Sequence, residues 1–509
     1  MTARRHYITT TIPYVNARPH LGFALELVQA DTLARHHRHR GERVRLLSGT
    51  DDNSLKNVLA AESAGVDVQS FVDRNADAFA ALRDPLALSL DDFIRTSSDP
   101  RHRVGVERLW RQCAASGDLY RKEYEGLYCV GCEQFYTPGE LVDGRCAEHG
   151  TEPRLVAEEN WFFRLSRYAD RLHELISTGG LRIEPAARRN EVLALIEGGL
   201  HDFSVSRSHD RARGWGIPVP DDPGQVIYVW WDALGNYVTS LGHGTGDGAY
   251  DEWWATSERR VHLAGKGVVR FHAVYWPAIL LSAGLPLPTD ILVHDYLTVD
   301  GRKISKSGGA TVDPAALAAA YGTDAVRWWL LRDVPRVGDA DFTPDRLTAR
   351  ADADFAGGLG NLVHRIVTMV HRFRAGTVPA SAVGSSPVKE LADACRKAPA
   401  LVDAALADFD FRRAIGAVWT IVEEANRCID TTRPWELSRE ERRGDGEAAK
   451  RLDAVLLTLV TACRALADEL SPFVPDAAGR ITSQLTPAAD GRLPASQPLF
   501  PRLQDARPD

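Results

Sequence analysis

A chain of 509 residues, 44% hydrophobic and 26% charged, is long enough for about three globular domains. Its net charge of −8 excludes a wholesale nucleic-acid coat, although one local basic face could still bind RNA. No apolar run approaches a membrane span and no signal-type segment precedes the first apolar run, so a cytoplasmic location is expected.

In chain order, residues 6–12 read as a buried strand, 13–19 as a turn, and 21 to about 40 as a helix stopped by Gly41. Residues 44–49 form a second strand running into Thr50-Asp51-Asp52-Asn53, and 55–85 read as helix. This β–turn–α–β opening predicts an α/β fold with a Rossmann-type, doubly wound parallel sheet. Its ligand crevice should lie at the strand carboxyl ends, where both polar turns fall. Residues 120–160 are Gly- and Cys-rich and look like an inserted module. Strand-then-helix patterning resumes at 225–238; a strand at 261–266 follows, then an apolar helix at 271–282. From about 352 to 484 the chain reads as all-α, with a Gly/Ser/Pro-rich loop at 376–388 and a Pro-rich extended tail at the end.

Three groups of residues carry chemistry. Pro19-His20-Leu21-Gly22 is a strand-to-helix turn, where glycine permits close backbone approach and a helix N-terminus can hold a triphosphate. Lys303-Ile304-Ser305-Lys306-Ser307, bounded by glycines, is a mobile arm able to grip a polyphosphate. Only eight of the 61 basic residues are Lys, and two of those fall in this pentapeptide. A compact ammonium on a flexible stem is what such a loop needs, and Arg does not substitute for it. Cys129-x2-Cys132-x13-Cys146-x2-His149 suits tetrahedral Zn²⁺ with every position filled by protein, hence a structural ion. Seven cysteines, three of them clustered here, fit a reduced compartment better than a disulfide framework. Cys113, Cys395, Cys428 and Cys463 read as small buried hydrophobes.

The turn at His20 and the lysine loop resemble the "HIGH" and "KMSKS" motifs of class I aminoacyl-tRNA synthetases. Tyr14-Val15-Asn16, Gly49-Thr50-Asp51, Tyr228-Val229-Trp230, Asp232-Ala233-Leu234, Asn236-Tyr237 and the run from Arg270 to Pro277 make the chain similar to the methionyl-tRNA synthetases. The resemblance runs from Ile8 to the Leu499-Phe500-Pro501-Arg502 tail. It implies ATP-dependent activation of L-methionine to methionyl-adenylate, then transfer to tRNA(Met), with Mg²⁺ accompanying ATP. His20, Lys303 and Lys306 would be catalytic, and Gly22, Lys266, Ser305 and Ser307 would join them in binding ATP. Ile12, Tyr14, Trp230, Ala233, Tyr237, Val268, Phe271, His272 and Trp276 would line the methionine pocket, with Asp51 facing the substrate ammonium. Asn361, Arg365 and Trp435 would read the anticodon, and His371, Arg372 and Arg374 could add phosphate contacts.

The implied organisation is a catalytic half at 1–115 and an insertion at 116–224 with a zinc knuckle near 125–155. A second catalytic half at 225–290, a connector with the lysine loop at 291–347, an α-helical anticodon-binding domain at 348–485 and a tail at 486–509 follow. A monomer is the default expectation.

The chain departs from this pattern around the nucleotide. Phe23 stands where His is usual, and Asp52-Asn53-Ser54 replaces Glu-His-Gly. Gly267 replaces the Asp that usually follows the lysine, and Asp295 replaces a Gly. Two alternatives therefore stay open: a paralogous adenylating ligase with a non-tRNA acceptor, and a non-catalytic binder of methionine or tRNA.

Overall fold

The computed structural model describes the chain apart from residues 1–3, 137, 148–149, 247, 305–311, 381–388 and 504–509. The chain divides into two compact units. The first holds residues 1–84, 88–296 and 304–312, and the second holds 85–87, 297–303 and 313–509.

The first unit is built on a six-stranded sheet of β1 (Arg5–Thr9), β2 (Arg43–Thr50), β3 (Asp92–Arg95), β7 (Arg182–Glu184), β8 (Arg259–Gly265) and β9 (Asp290–His294). The strand order is β3-β2-β1-β8-β9-β7, and every pairing is parallel. The chain therefore runs outward from β1 in one direction first and returns on its other side. The switch point between β1 and β8 opens a crevice at their carboxyl ends. Helix α1 (Leu21–His39) joins β1 to β2.

The helix expected over 55–85 is two helices, α2 (Leu55–Ala64) and α3 (Val68–Ala80). Gly65 adopts a left-handed φ of 65° and closes α2, and the Asp67 carboxylate then accepts from Ser70 N to start α3. The apolar pattern runs across this break, which is why periodicity alone joined the two.

Helix α4 (Pro100–Ala115) leads into an antiparallel insertion of β4 (Leu119–Cys129), β5 (Gln134–Tyr136) and β6 (Arg154–Phe163). Helix α5 (Ala186–Glu197) follows β7, and α6 (Val229–Thr239) precedes β8. The expected 271–282 helix is a π-turn over Phe271–Tyr275 followed by α7 (Trp276–Ala283). Pro277 has no N–H to donate back along the helix, and Trp276 N reaches Phe271 O instead.

In the second unit α8 (Pro314–Tyr321), α9 (Thr323–Arg332) and α10 (Pro344–Ala351) precede a bundle of α11 (Asn361–Arg374), α12 (Lys389–Ala407), α13 (Phe411–Thr432), α14 (Pro434–Glu441), α15 (Gly446–Leu470) and α16 (Pro475–Leu485). Helix α13 buries Phe411, Ala414, Ile415, Val418, Ile421, Val422, Ala425, Cys428 and Ile429, the three-four spacing of an amphipathic core helix. The extended tail packs back on the bundle, with Phe500 stacked on Phe355 at 5.0 Å. Among the described residues no helix is long and apolar enough to cross a membrane.

Candidate active site and metal centre

His20 is the N-cap of α1, with extended backbone and no side-chain hydrogen bond to its own helix. A Cβ on Gly22 would meet the His20 ring at 3.0 Å, so glycine lets the imidazole lie against the first turn. Phe23 is 7% exposed and packs edge-on against Phe79 of α3 at 5.3 Å. The residue that departs from the motif is thus absorbed into the packing between α1 and α3.

The side chains expected to line an amino-acid pocket lie together. Trp230 stacks on Phe271 at 3.7 Å and 3°, with Tyr14 and His272 at its edges. Ile12, Ala233, Tyr237, Phe271 and Trp276 belong to one core cluster, and Trp230 and Val268 pack against it. His272 Nδ1 faces Val268 O at 2.9 Å, so that nitrogen carries the proton and donates. Nε2 is then the acceptor for Tyr237 OH at 2.8 Å. Burial lowers the His272 pKa and keeps the ring neutral. Behind this pair lies a layer that no motif in the sequence marks. Trp276 Nε1 donates to His262 Nε2 at 3.2 Å, His262 pairs with Thr9 Oγ1 at 2.6 Å, and its ring stacks on Tyr237 at 4.1 Å. The slot is apolar, aromatic and uncharged.

Asp51 gives the slot an anionic wall; it is fixed by a bridge to Tyr14 and is 2% exposed. Asp51 Oδ1 is buried with no hydrogen-bond partner. Burial raises its pKa well above the ordinary carboxylate range, and Asp232, Glu133 and Asp52 add to the rise. The other three acids are already engaged, Asp52 by Ser97, Glu133 by Ser54 and Asp232 by Asn53, so Asp51 is the carboxylate left to receive a cation. Asn53 is tied into the cluster, donating to Asp232 Oδ2 at 2.7 Å, while His102 contacts the other Asp232 oxygen.

Cys129, Cys132 and Cys146 bring their sulfurs within 4.8 Å of one another, with Cys132 and Cys146 at 3.4 Å. The Cys132 thiol is pushed well up by its neighbour Cys129 and by burial, a cost that a divalent cation would reverse. The trio fits a zinc knuckle. The fourth predicted ligand, His149, lies outside the described residues.

The knuckle also reaches the pocket. Glu133, adjacent to Cys132 and 4% exposed, accepts from Ser54 Oγ at 2.5 Å and Lys56 N at 3.2 Å, at the start of α2. A metal holding Cys132 therefore holds the segment after Asp51. Glu133→Ala is expected to leave the metal content of the cysteine trio unchanged by elemental analysis yet raise the KM for the substrate of the pocket roughly tenfold to a hundredfold, the worth of a charge-assisted hydrogen bond.

Lys266 follows the carboxyl end of β8, in the crevice. His294, at the end of β9, donates from Nε2 to Glu26 at 2.9 Å. Glu26 in turn accepts from Thr11 N at 2.5 Å and Thr11 Oγ1 at 2.7 Å. Burial works against its protonation, but Glu26 outweighs it and the His294 pKa is raised. The backbone of Lys303 pairs with Thr298 in a hairpin of the second unit, whereas Ser305, Lys306 and Ser307 lie outside the described residues.

In the bundle Asn361 is exposed at the start of α11, and Arg365 lies one turn on. Arg365 donates to Asn426 at 3.2 Å and lies 3.8 Å from Asp430, toward the end of α13. That end turns through Arg433, φ 45°, into Trp435, which is 41% exposed. The three predicted anticodon residues thus gather on elements joined at one end of the bundle. His371 and Arg374, which could add phosphate contacts, have partners within the protein. His371 donates to Pro494 O at 3.0 Å, and Arg374 is held by Asp453 at 2.5 Å and Glu441 at 3.1 Å. Arg372 remains exposed.

A parallel sheet whose strand order reverses between β1 and β8, with a histidine at the N-terminus of the first helix, is the architecture of a class I aminoacyl-tRNA synthetase. The family model for class I tRNA synthetases (M) matches residues 6–146 and 131–367. A methionine–tRNA ligase of Brucella suis is 38% identical over 525 residues, 99% of both chains. That of Caldanaerobacter subterraneus is 39% identical over 94% of this chain and 73% of its own. The crystal structure of Mycobacterium tuberculosis methionyl-tRNA synthetase bound by methionyl-adenylate superposes with a TM-score of 0.91 at 36% identity, covering 98% of this chain and all of that one. The chain belongs to the methionine–tRNA ligase family.

Proposed function

We propose that the chain activates L-methionine with ATP·Mg²⁺ and transfers it to tRNA(Met), working as a monomer. The observation that carries this is the shape of the pocket: an aromatic, uncharged slot closed at one end by a buried carboxylate oxygen with no partner. That is the complement of an amino acid with an ammonium and an apolar, polarizable side chain. Asp51 takes the ammonium. Trp230, Phe271 and Ala233 enclose the thioether chain, and the neutral Tyr237–His272 pair offers the sulfur weak polar contact. The methionine carboxylate then attacks the ATP α-phosphorus, the bond to the bridging oxygen breaks, and pyrophosphate leaves. His20 and Lys266, with Lys303 and Lys306 of the loop, stabilise the phosphate charge, and Mg²⁺ enters with the nucleotide. A terminal ribose hydroxyl of the tRNA then attacks the mixed anhydride and releases AMP. Zinc, on Cys129, Cys132, Cys146 and His149, is structural.

Methionine-dependent ATP–pyrophosphate exchange tests the first step. Exchange selective for methionine over leucine and valine is expected, and its absence at high protein concentration refutes the reading.

Asn361, Arg365 and Trp435 read the anticodon. An exposed indole is a stacking platform worth about 1–3 kcal/mol per base. Trp435→Ala should therefore lower kcat/KM for charging roughly tenfold to a hundredfold while leaving pyrophosphate exchange unchanged.

A further inference from the structure

The strands β8 and β9 are register partners at their last residues, Gly265 opposite His294. The residues that follow, Lys266 and Asp295, therefore leave two adjacent carboxyl ends side by side at the crevice. Asp295 is 4% exposed. A carboxylate buried that far is costly unless it is paired. Its Oδ1 contacts Arg188 of α5 and lies 3.8 Å from Lys266 Nζ. Arg188 is itself anchored on both oxygens of Glu191, at 2.6 and 2.7 Å. Lys266 also sits over the Tyr296 ring at 4.6 Å. Two consecutive residues after β9 thus hold the lysine from a carboxylate and from an aromatic face.

A lysine stem loses much rotamer freedom when its ammonium is fixed, and a charge helps a reacting phosphate only when it is already in place. Position 267, directly after the lysine, is a glycine and offers no carboxylate; an acid stands across the strand ladder at 295 instead.

We infer that Asp295 is the positioning residue for Lys266, restoring from the end of β9 the carboxylate missing at 267, with Arg188 fixing Asp295 in turn. This rests on the adenylation reading above. It makes Gly267 and Asp295 one coupled exchange rather than two separate losses. Removing the Asp295 charge would leave Arg188 and Lys266 as unscreened neighbours and let the lysine swing away from the nucleotide phosphates.

The test is the KM for ATP in pyrophosphate exchange, together with calorimetric affinity for a non-hydrolysable ATP analogue. D295N should raise the ATP KM roughly tenfold to a hundredfold, the range for a charge-assisted contact, with the methionine KM unchanged. In a K266A background D295N should add little, because its effect passes through the lysine. G267D/D295G should recover most of the ATP affinity lost in D295G. A wild-type ATP KM in D295N, additive effects of D295N and K266A, or a swap no better than D295G would overturn the inference. Thermal melting separates these results from misfolding. Should D295N not fold, the swap pair decides alone. Wild-type protein without exchange would refute the proposed function, whereas exchange with an unperturbed D295N refutes only this inference.

Discussion

Asp51→Asn should raise the KM for methionine roughly a hundredfold to several thousandfold while making the free protein more stable. Removing one partner of a buried charge pair costs about 3–5 kcal/mol, and the methionine ammonium would face an amide instead of a carboxylate. The free protein moves the other way. Asp51 is 2% exposed beside Asp232, Glu133 and Asp52, and its Oδ1 has no partner, so neutralising it relieves repulsion and desolvation. The paired readouts are the methionine KM and the thermal midpoint: KM rises and Tm rises. A variant with both values unchanged would remove Asp51 from the site.

The same carboxylate sets a pH dependence. Protonation competes with ammonium binding, and the Asp51 pKa lies above the ordinary range. Methionine affinity should therefore fall as pH is lowered, beginning above the pH at which an exposed aspartate titrates, and the Asn variant should lose that dependence.

His20→Ala should lower kcat for exchange by about two to three powers of ten, with the methionine KM little changed. Loss of one preformed transition-state donor has that cost. Here no second imidazole stands in the motif to compensate: position 23 is a phenylalanine packed against Phe79. Phe23→His should not rescue the loss. It would place an imidazole in a position 7% exposed, against an aromatic edge, and should destabilise the chain instead. A single-turnover measurement of adenylate formation gives the rate directly. An unchanged His20→Ala rate would assign the phosphate chemistry elsewhere.

The parts of the site legible in the sequence are those whose reason is local. The turn before α1 needs a glycine beside His20, the knuckle needs its cysteine spacing, and the pocket aromatics lie on three short stretches. The polar supports are not local. Glu133 reaches Ser54 across 79 positions, Arg188 reaches Asp295 across 107, and His294 reaches Glu26 across 268. Nothing in a neighbouring residue marks such partners, and only the folded sheet brings them together. The helix break at Gly65 and Asp67 was readable as a glycine stop followed by an aspartate cap, but the continuous apolar pattern masked it. The π-turn at Phe271–Tyr275 follows from Pro277, yet the sequence alone does not choose between a kink, a stop and a widened turn.

The departures at Asn53, Ser54 and Asp295 each enter a specific contact, with Asp232, Glu133 and Lys266 respectively. A chain that had abandoned adenylation would have no need to keep these groups converging on the crevice. A functional synthetase should charge a CAU-anticodon tRNA with labelled methionine, measured with the wild-type chain. ATP-dependent formation of methionyl-tRNA is expected, lost when the anticodon is changed. Methionine-dependent pyrophosphate exchange without any charged tRNA would contradict it.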